Sequence, residues 1–235
     1  MSESCKWIVK QLETLPFVKF PFDSQMLPNN GIYFFFENGE NWGHGGNNPR
    51  IVRIGTHKDG NFQNRIKEHF IINDSKMNFT ALQSPPHDRS IFRKNIGRAL
   101  LNKENDGYLR IWEIDFTSRK NRDKYAHLRN IKKEKDIEFE VTKILRQNFS
   151  FKFVIMDNEF SRMGKNGLES SLIGTVAQCK QCKSSNNWLG NYSPKNQIIE
   201  SGLWLIQHLK SNKITKNDEK TFLKSVKKTK EFISN

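Results

Sequence analysis

A tyrosine stands at the head of the most apolar run in this chain. In GIYFFFENGE, residues 31–40, Tyr33 is followed by three phenylalanines, and the run ends in charge and turn residues. Twenty residues on, RIVRIGTH carries Arg53, a second isoleucine–glycine pair and His57. Arg65 and His69 follow as R-x-x-x-H, so on a helix they lie one turn apart and face the same way. Farther along come Glu169 in LESSLIG and Asn187 in NNWLG. These side chains suit work on phosphate. A guanidinium fork matches paired phosphate oxygens, a carboxylate can hold a hard divalent cation, and phenol or imidazole can move or orient a proton. Each also has a plainer use. Tyr33 could be an ordinary strand aromatic, Arg65 a surface arginine paired with Glu68, and His69 a solvated or capping histidine. Glu169 could close a capping box begun at Asn166.

The elements that must position them follow from periodicity. Residues 31–37 alternate as a strand, with Ile32, Phe34 and Phe36 on one face and Tyr33 and Phe35 on the other. NGENWGHGGNNP is a long Gly/Asn turn, and residues 50–56 return antiparallel, with Val52 and Ile54 opposite Arg53. Phe62, Ile66 and Phe70 recur at helical spacing, with Arg65 at the edge of their stripe, as do Phe92, Ile96 and Leu100 over about 90–102. Strands are expected at 108–116 and 151–157. Residues 119–135 hold a charge run that suits a solvated helix face, and the helix continues through KDIEFEVTKILRQNF. A helix follows at LESSLIGTVAQC, and a lysine-rich one over 217–233 turns Leu223, Val226 and Ile233 inward. The expected class is α+β: a small, about three-stranded antiparallel sheet flanked by helices.

Composition narrows the partner. Lys and Arg total 39 against 25 acidic residues, a net charge of +14, with a pI near 9.7. A field of that sign attracts polyanions, and phosphate neutralisation dominates affinity for nucleic acid. No apolar run reaches membrane-spanning length, and MSESCKWIVKQLE lacks the apolar core of a secretory signal, which predicts a cytoplasmic protein. Cys5, Cys179 and Cys182 do not make a disulfide framework. CKQC has the spacing of half a zinc site, but no second ligand pair is visible, so the two read as ordinary reduced cysteines near a helix end.

Gly31-Ile32-Tyr33 and Arg53-Ile54-Gly55 resemble the two signature triplets of the GIY-YIG nuclease family, with Arg53 where the family usually has tyrosine. RIVRIGTH, RSIFRKNIGRAL, NNWLG and SGLW together look similar to a bacterial group within that superfamily. The resemblance implies a nuclease domain over 30–190 with insertions near 38–49 and 105–148, an N-terminal extension over 1–29 and a basic helical one over 191–235. It implies hydrolysis of phosphodiester bonds in DNA with one Mg²⁺ or Mn²⁺ on Glu169. Tyr33 would act as base or orient the water, Arg65 would bind the scissile phosphate, and His69 and His57 would assist proton transfer. Asn187 would support the site. A free phenol titrates near pH ~10, so cations such as Arg53 must help Tyr33. Arg53, Arg93, Lys94 and Arg98 would contact nucleic acid, and double-strand cleavage would suit a homodimer. Restriction, phage defence or repair are the expected settings. The rival readings are a non-catalytic nucleic-acid-binding protein, favoured by Arg53, and an RNA nuclease.

Overall fold

The structure, a computed structural model, describes residues 3–45 and 48–234. Its centre is a four-stranded antiparallel sheet in the order β1-β4-β2-β3. The strands are β1 (Val18–Lys19), β2 (Gly31–Asn41), β3 (Pro49–Gly55) and β4 (Phe149–Ile155). Around it run α1 (Glu3–Glu13), α2 (Phe62–Phe70), α3 (Pro86–Arg89), α4 (Ile91–Lys103), α5 (Leu109–Trp112) and α6 (Arg119–Tyr125). Then follow α7 (Ile131–Asn148), α8 (Glu159–Arg162), α9 (Leu168–Ala177), α10 (Asn196–Ser201) and α11 (Lys216–Ser234). The class is α+β, as expected. No helix among the described residues is long and apolar enough to cross a membrane.

The expected alternation in β2 builds two cores. Ile32, Phe34 and Phe36 face one shared with α1, α9 and α11, while Tyr33 and Phe35 face one shared with α2, α4 and α7. Both terminal segments therefore share the core of the first face: Cys5, Ile8 and Leu12 of α1, with Phe222 and Val226 of α11, pack against β2. Each large apolar side chain so buried contributes roughly 1.5–3 kcal/mol.

Four expectations need correction. Val52 does not share a face with Ile54: Phe35 pairs with Arg53 but Phe36 with Ile51, so the register shifts at Val52. That bulge puts Val52 in the Tyr33 core while Ile51 and Ile54 stay in the other. Residues 108–116 form a helical turn rather than a strand. Trp112 stacks on His87 with centroids 3.6 Å apart and donates its indole N–H to the Lys94 carbonyl, an anchor that alternation does not reveal. The charge run is two pieces, because Asn130 caps a new helix by accepting the Lys133 N–H. In α11 it is Phe222, Val226 and Thr229 that turn inward, leaving Leu223 and Ile233 exposed. The cysteine reading also changes, since Cys5 and His44 close on Cys179 and Cys182 from distant parts of the chain.

Candidate active site

The site forms where the ends of β2 and β3 meet α2 and the start of α9. Tyr33 pairs across the sheet with Gly55, and its ring leans over that glycine: a Cβ there would lie 2.3 Å from the Tyr33 hydroxyl. Glycine at this position is therefore a matter of space for the phenol. Arg53, two residues back on β3, lies on the same face, with its guanidinium 4.8 Å from the centre of the Phe92 ring. It donates to the Trp204 carbonyl at 2.6 Å. Its charge faces Tyr33 and Glu169, and burial lowers its pKa.

α2 supplies the opposite wall. Its Phe62, Ile66 and Phe70 are buried, as the spacing predicts, and they turn His69 fully into the core. His69 Nε2 lies 3.2 Å from the Tyr33 hydroxyl and Nδ1 lies 2.8 Å from Ser90 Oγ. Burial, reinforced by the charges of Arg65, Arg53 and Arg93, holds the imidazole pKa well below its ordinary value, so the ring is neutral. In the tautomer whose Nδ1–H donates to Ser90 Oγ, Nε2 is the acceptor for the phenol proton. Ser90 is fixed in turn as the cap of α4, accepting the Arg93 N–H at 3.3 Å.

Glu169 does not close a capping box. The cap of α9 is Gly167, and no side chain caps it. The carboxylate instead crosses to the end of β3, where Oε1 accepts the Thr56 N–H at 3.0 Å. Its other oxygen takes no hydrogen bond among the described residues. Burial raises the Glu169 pKa to about 7 against the pull of Arg53, the Thr56 N–H and Arg162. A hard oxygen donor with one free lone-pair face, whose charge is under-compensated by its surroundings, fits a hydrated divalent cation. Unpartnered polar atoms gather here too. Of the buried side-chain nitrogens without a partner among the described residues, Arg53 Nε, His57 Nδ1 and Arg65 Nε all belong to this group.

Arg65 is tethered by its Nη1 to Glu68 at 3.1 Å and to the Arg89 carbonyl at 2.6 Å, so the ion pair anticipated as its plain use exists beside the buried, unpartnered Nε. His57 follows β3 within reach of the Arg65 charge, and burial lowers its pKa. Asn187 is not brought in. It is exposed beside the buried Trp188, which with Trp204 donates to Glu37 at the far end of the β2 aromatic run. Arg93, Lys94 and Arg98 are corrected outright: all three are buried. Arg93 is locked to Glu138, Lys94 to Asp88 and Arg98 to Glu113, so none is free for a phosphate backbone. Their charges tie α4 to α3, to α7 and to the end of α5.

Beside Arg65 and Glu68 lies a cleft of about 960 Å³ whose lining includes Lys67, Lys76, Arg89 and Arg122 against Glu68. Tyr33 and Glu169 lie outside it, so it flanks the site and does not contain it. Sequence reasoning missed Ser90, Thr56 and the Trp204 carbonyl, which orient His69, Glu169 and Arg53. Only Ser90 left a signal, as a helix-starting serine after PPHDR. Residues 16–232 match the family model described as the GIY-YIG domain. No curated protein and no solved structure matches.

Proposed function

The chain belongs to the GIY-YIG family, which is a family of nucleases, and on that premise we propose that it is a metal-dependent endonuclease hydrolysing phosphodiester bonds of DNA. One observation carries the reading: the Tyr33 hydroxyl lies 3.2 Å from the buried imidazole of His69, near the charge of Arg53, which also feels that of Glu169. Phosphodiester hydrolysis needs an oriented nucleophilic water, neutralised phosphate charge and a protonated leaving oxygen. Tyr33 orients the water and passes its proton to His69 Nε2, while Ser90 keeps that nitrogen in its acceptor tautomer. Arg53, in the position of the family's second tyrosine, supplies a fixed positive charge beside the phenol. Arg65 presents its unpartnered Nε to a phosphate oxygen, and His57 stands beside it for the departing oxygen. Glu169 would hold Mg²⁺ or Mn²⁺, which when bound draws charge from the scissile phosphate.

The substrate is double-stranded DNA, cut in the cytoplasm in restriction, phage defence or repair, with two copies acting on the two strands. The net charge of +14 and the basic residues of the flanking cleft suit a polyanion. The test is incubation of supercoiled plasmid with the purified protein and Mg²⁺ or Mn²⁺, beside Glu169→Ala. Nicking that needs the metal and disappears in the variant is the expected result. Equal, metal-independent DNA retention by both proteins, with neither cutting, would replace the enzyme with a binding protein on this scaffold.

A further inference from the structure

Opposite the active-site face, three buried thiols and an imidazole converge. Cys5 comes from α1, His44 from the turn after β2, and Cys179 and Cys182 from the segment after α9. Their four donor atoms all lie within 4.8 Å of one another. Cys5 Sγ is 3.8 Å from Cys182 Sγ, and Cys179 Sγ is 3.3 Å from His44 Nε2. A tetrahedral zinc ion with zinc–sulfur bonds of about 2.3 Å and a zinc–nitrogen bond of about 2.0 Å sets sulfur–sulfur edges of about 3.8 Å and a sulfur–nitrogen edge of about 3.5 Å. Both edges in the structure are close to those lengths. The sulfurs are also far beyond a disulfide bond of about 2.05 Å, and all three cysteines are free.

From this geometry we infer that Cys5, His44, Cys179 and Cys182 form a structural zinc site. The site is independent of the nuclease reading. The backbone around it is shaped for the purpose. Gly43 lies so close that a Cβ there would fall 1.7 Å from the Gln181 carbonyl oxygen, which seats the hairpin turn directly on the CKQC loop. The edge of Trp42 packs on the His44 ring, with centroids 5.2 Å apart. Cys5, Cys179 and Cys182 are 1%, 5% and 6% exposed, so four protein ligands close the site and leave no position for substrate. Three soft thiolates and one imidazole select zinc over hard cations such as Mg²⁺. Bound there, the ion ties the N-terminal helix and the β2–β3 turn to the far end of α9, the helix that carries Glu169.

The test uses the full chain. Zinc is measured in protein purified from zinc-replete medium without chelator, and the zinc-depleted protein is titrated with Co²⁺ while its absorption is recorded. The expected result is one zinc per chain and a cobalt spectrum with a thiolate charge-transfer band and the intense visible bands of a tetrahedral site. His44→Ala, which alters only a surface turn, weakens binding at least about tenfold, and Cys182→Ser does the same. His44→Cys retains zinc and strengthens the charge-transfer band. Chelation lowers the melting temperature of the wild type but not of Cys182→Ser. The inference is overturned by zinc-free protein that takes up no cobalt, by iron in place of zinc, by unchanged affinity in both weakened variants, or by a non-reducing thiol count showing a disulfide among the three cysteines.

Discussion

Replacing Glu169 with glutamine should remove the proposed metal ligand and stabilise the protein at the same time. The side chain keeps its shape and an oxygen to accept the Thr56 N–H, so only the charge is lost. In the folded protein burial pushes the pKa of this carboxyl up to about 7 from an ordinary 4.5. A raised acid favours the folded state below its unfolded pKa and loses that contribution as pH climbs through the folded one. At about 1.4 kcal/mol per pH unit, ionising Glu169 costs the fold up to about 3 kcal/mol at pH ~8 but less than about 1 kcal/mol at pH ~5. Melting of wild type and Glu169→Gln at those two pH values, without divalent metal, isolates this difference. The other raised acid, Glu37, is present in both proteins and cancels. For a chain of this size the gap of about 2–3 kcal/mol corresponds to a melting-temperature advantage for the variant of roughly 5–10 °C at the higher pH. Mg²⁺ should close the gap by stabilising the wild type alone. Parallel pH profiles for the two proteins, or equal stabilisation of both by Mg²⁺, would refute the reasoning.

Gly55→Ala places a methyl group 2.3 Å from the Tyr33 hydroxyl and must displace the ring; plasmid cleavage should fall about 10²-fold with DNA retention unchanged. His69→Gln removes the proton acceptor 3.2 Å from that hydroxyl, and single-turnover cleavage should slow by about 10²–10⁴-fold while the metal dependence stays as in the wild type. Glu138→Gln leaves the fully buried Arg93 without its counter-charge, which urea denaturation should record as a loss of about 3–5 kcal/mol. Although burial opposes it, the Arg93 and His87 contacts hold the Glu138 pKa at about 2, so its contribution is complete above the ordinary 4.5 and is lost as pH falls towards 2. The variant's acid-unfolding limb should be correspondingly flatter.

The strands and helices that carry Tyr33, Arg65, His69 and Glu169 were legible because each follows a local rule. Alternation in GIYFFF and the i, i+4 spacing of Phe62, Ile66 and Phe70 need no distant information. What escaped depends on partners far along the chain. The phosphate-tracking surface expected of Arg93 failed because its counter-charge, Glu138, arrives 45 residues later and turns the guanidinium inward. The Trp112 helical turn is fixed by the Lys94 carbonyl and His87, neither of them neighbours in sequence. The capping-box reading of Glu169 was a sound local inference, displaced by the free N–H at the end of β3. CKQC showed half a metal site, and the other half is divided between Cys5 and His44, which no spacing rule joins.

The central claim is that the Tyr33 hydroxyl takes part in phosphodiester hydrolysis and not in DNA binding or folding. Tyr33→Phe removes one oxygen from a fully packed ring, so single-turnover cleavage of supercoiled plasmid in Mg²⁺, measured beside gel retardation at equal salt, tests it most directly. The account predicts retardation equal to that of the wild type and a cleavage rate lower by about 10²-fold or more. Cleavage at the wild-type rate would contradict it and leave the phenol as a packing residue beside His69.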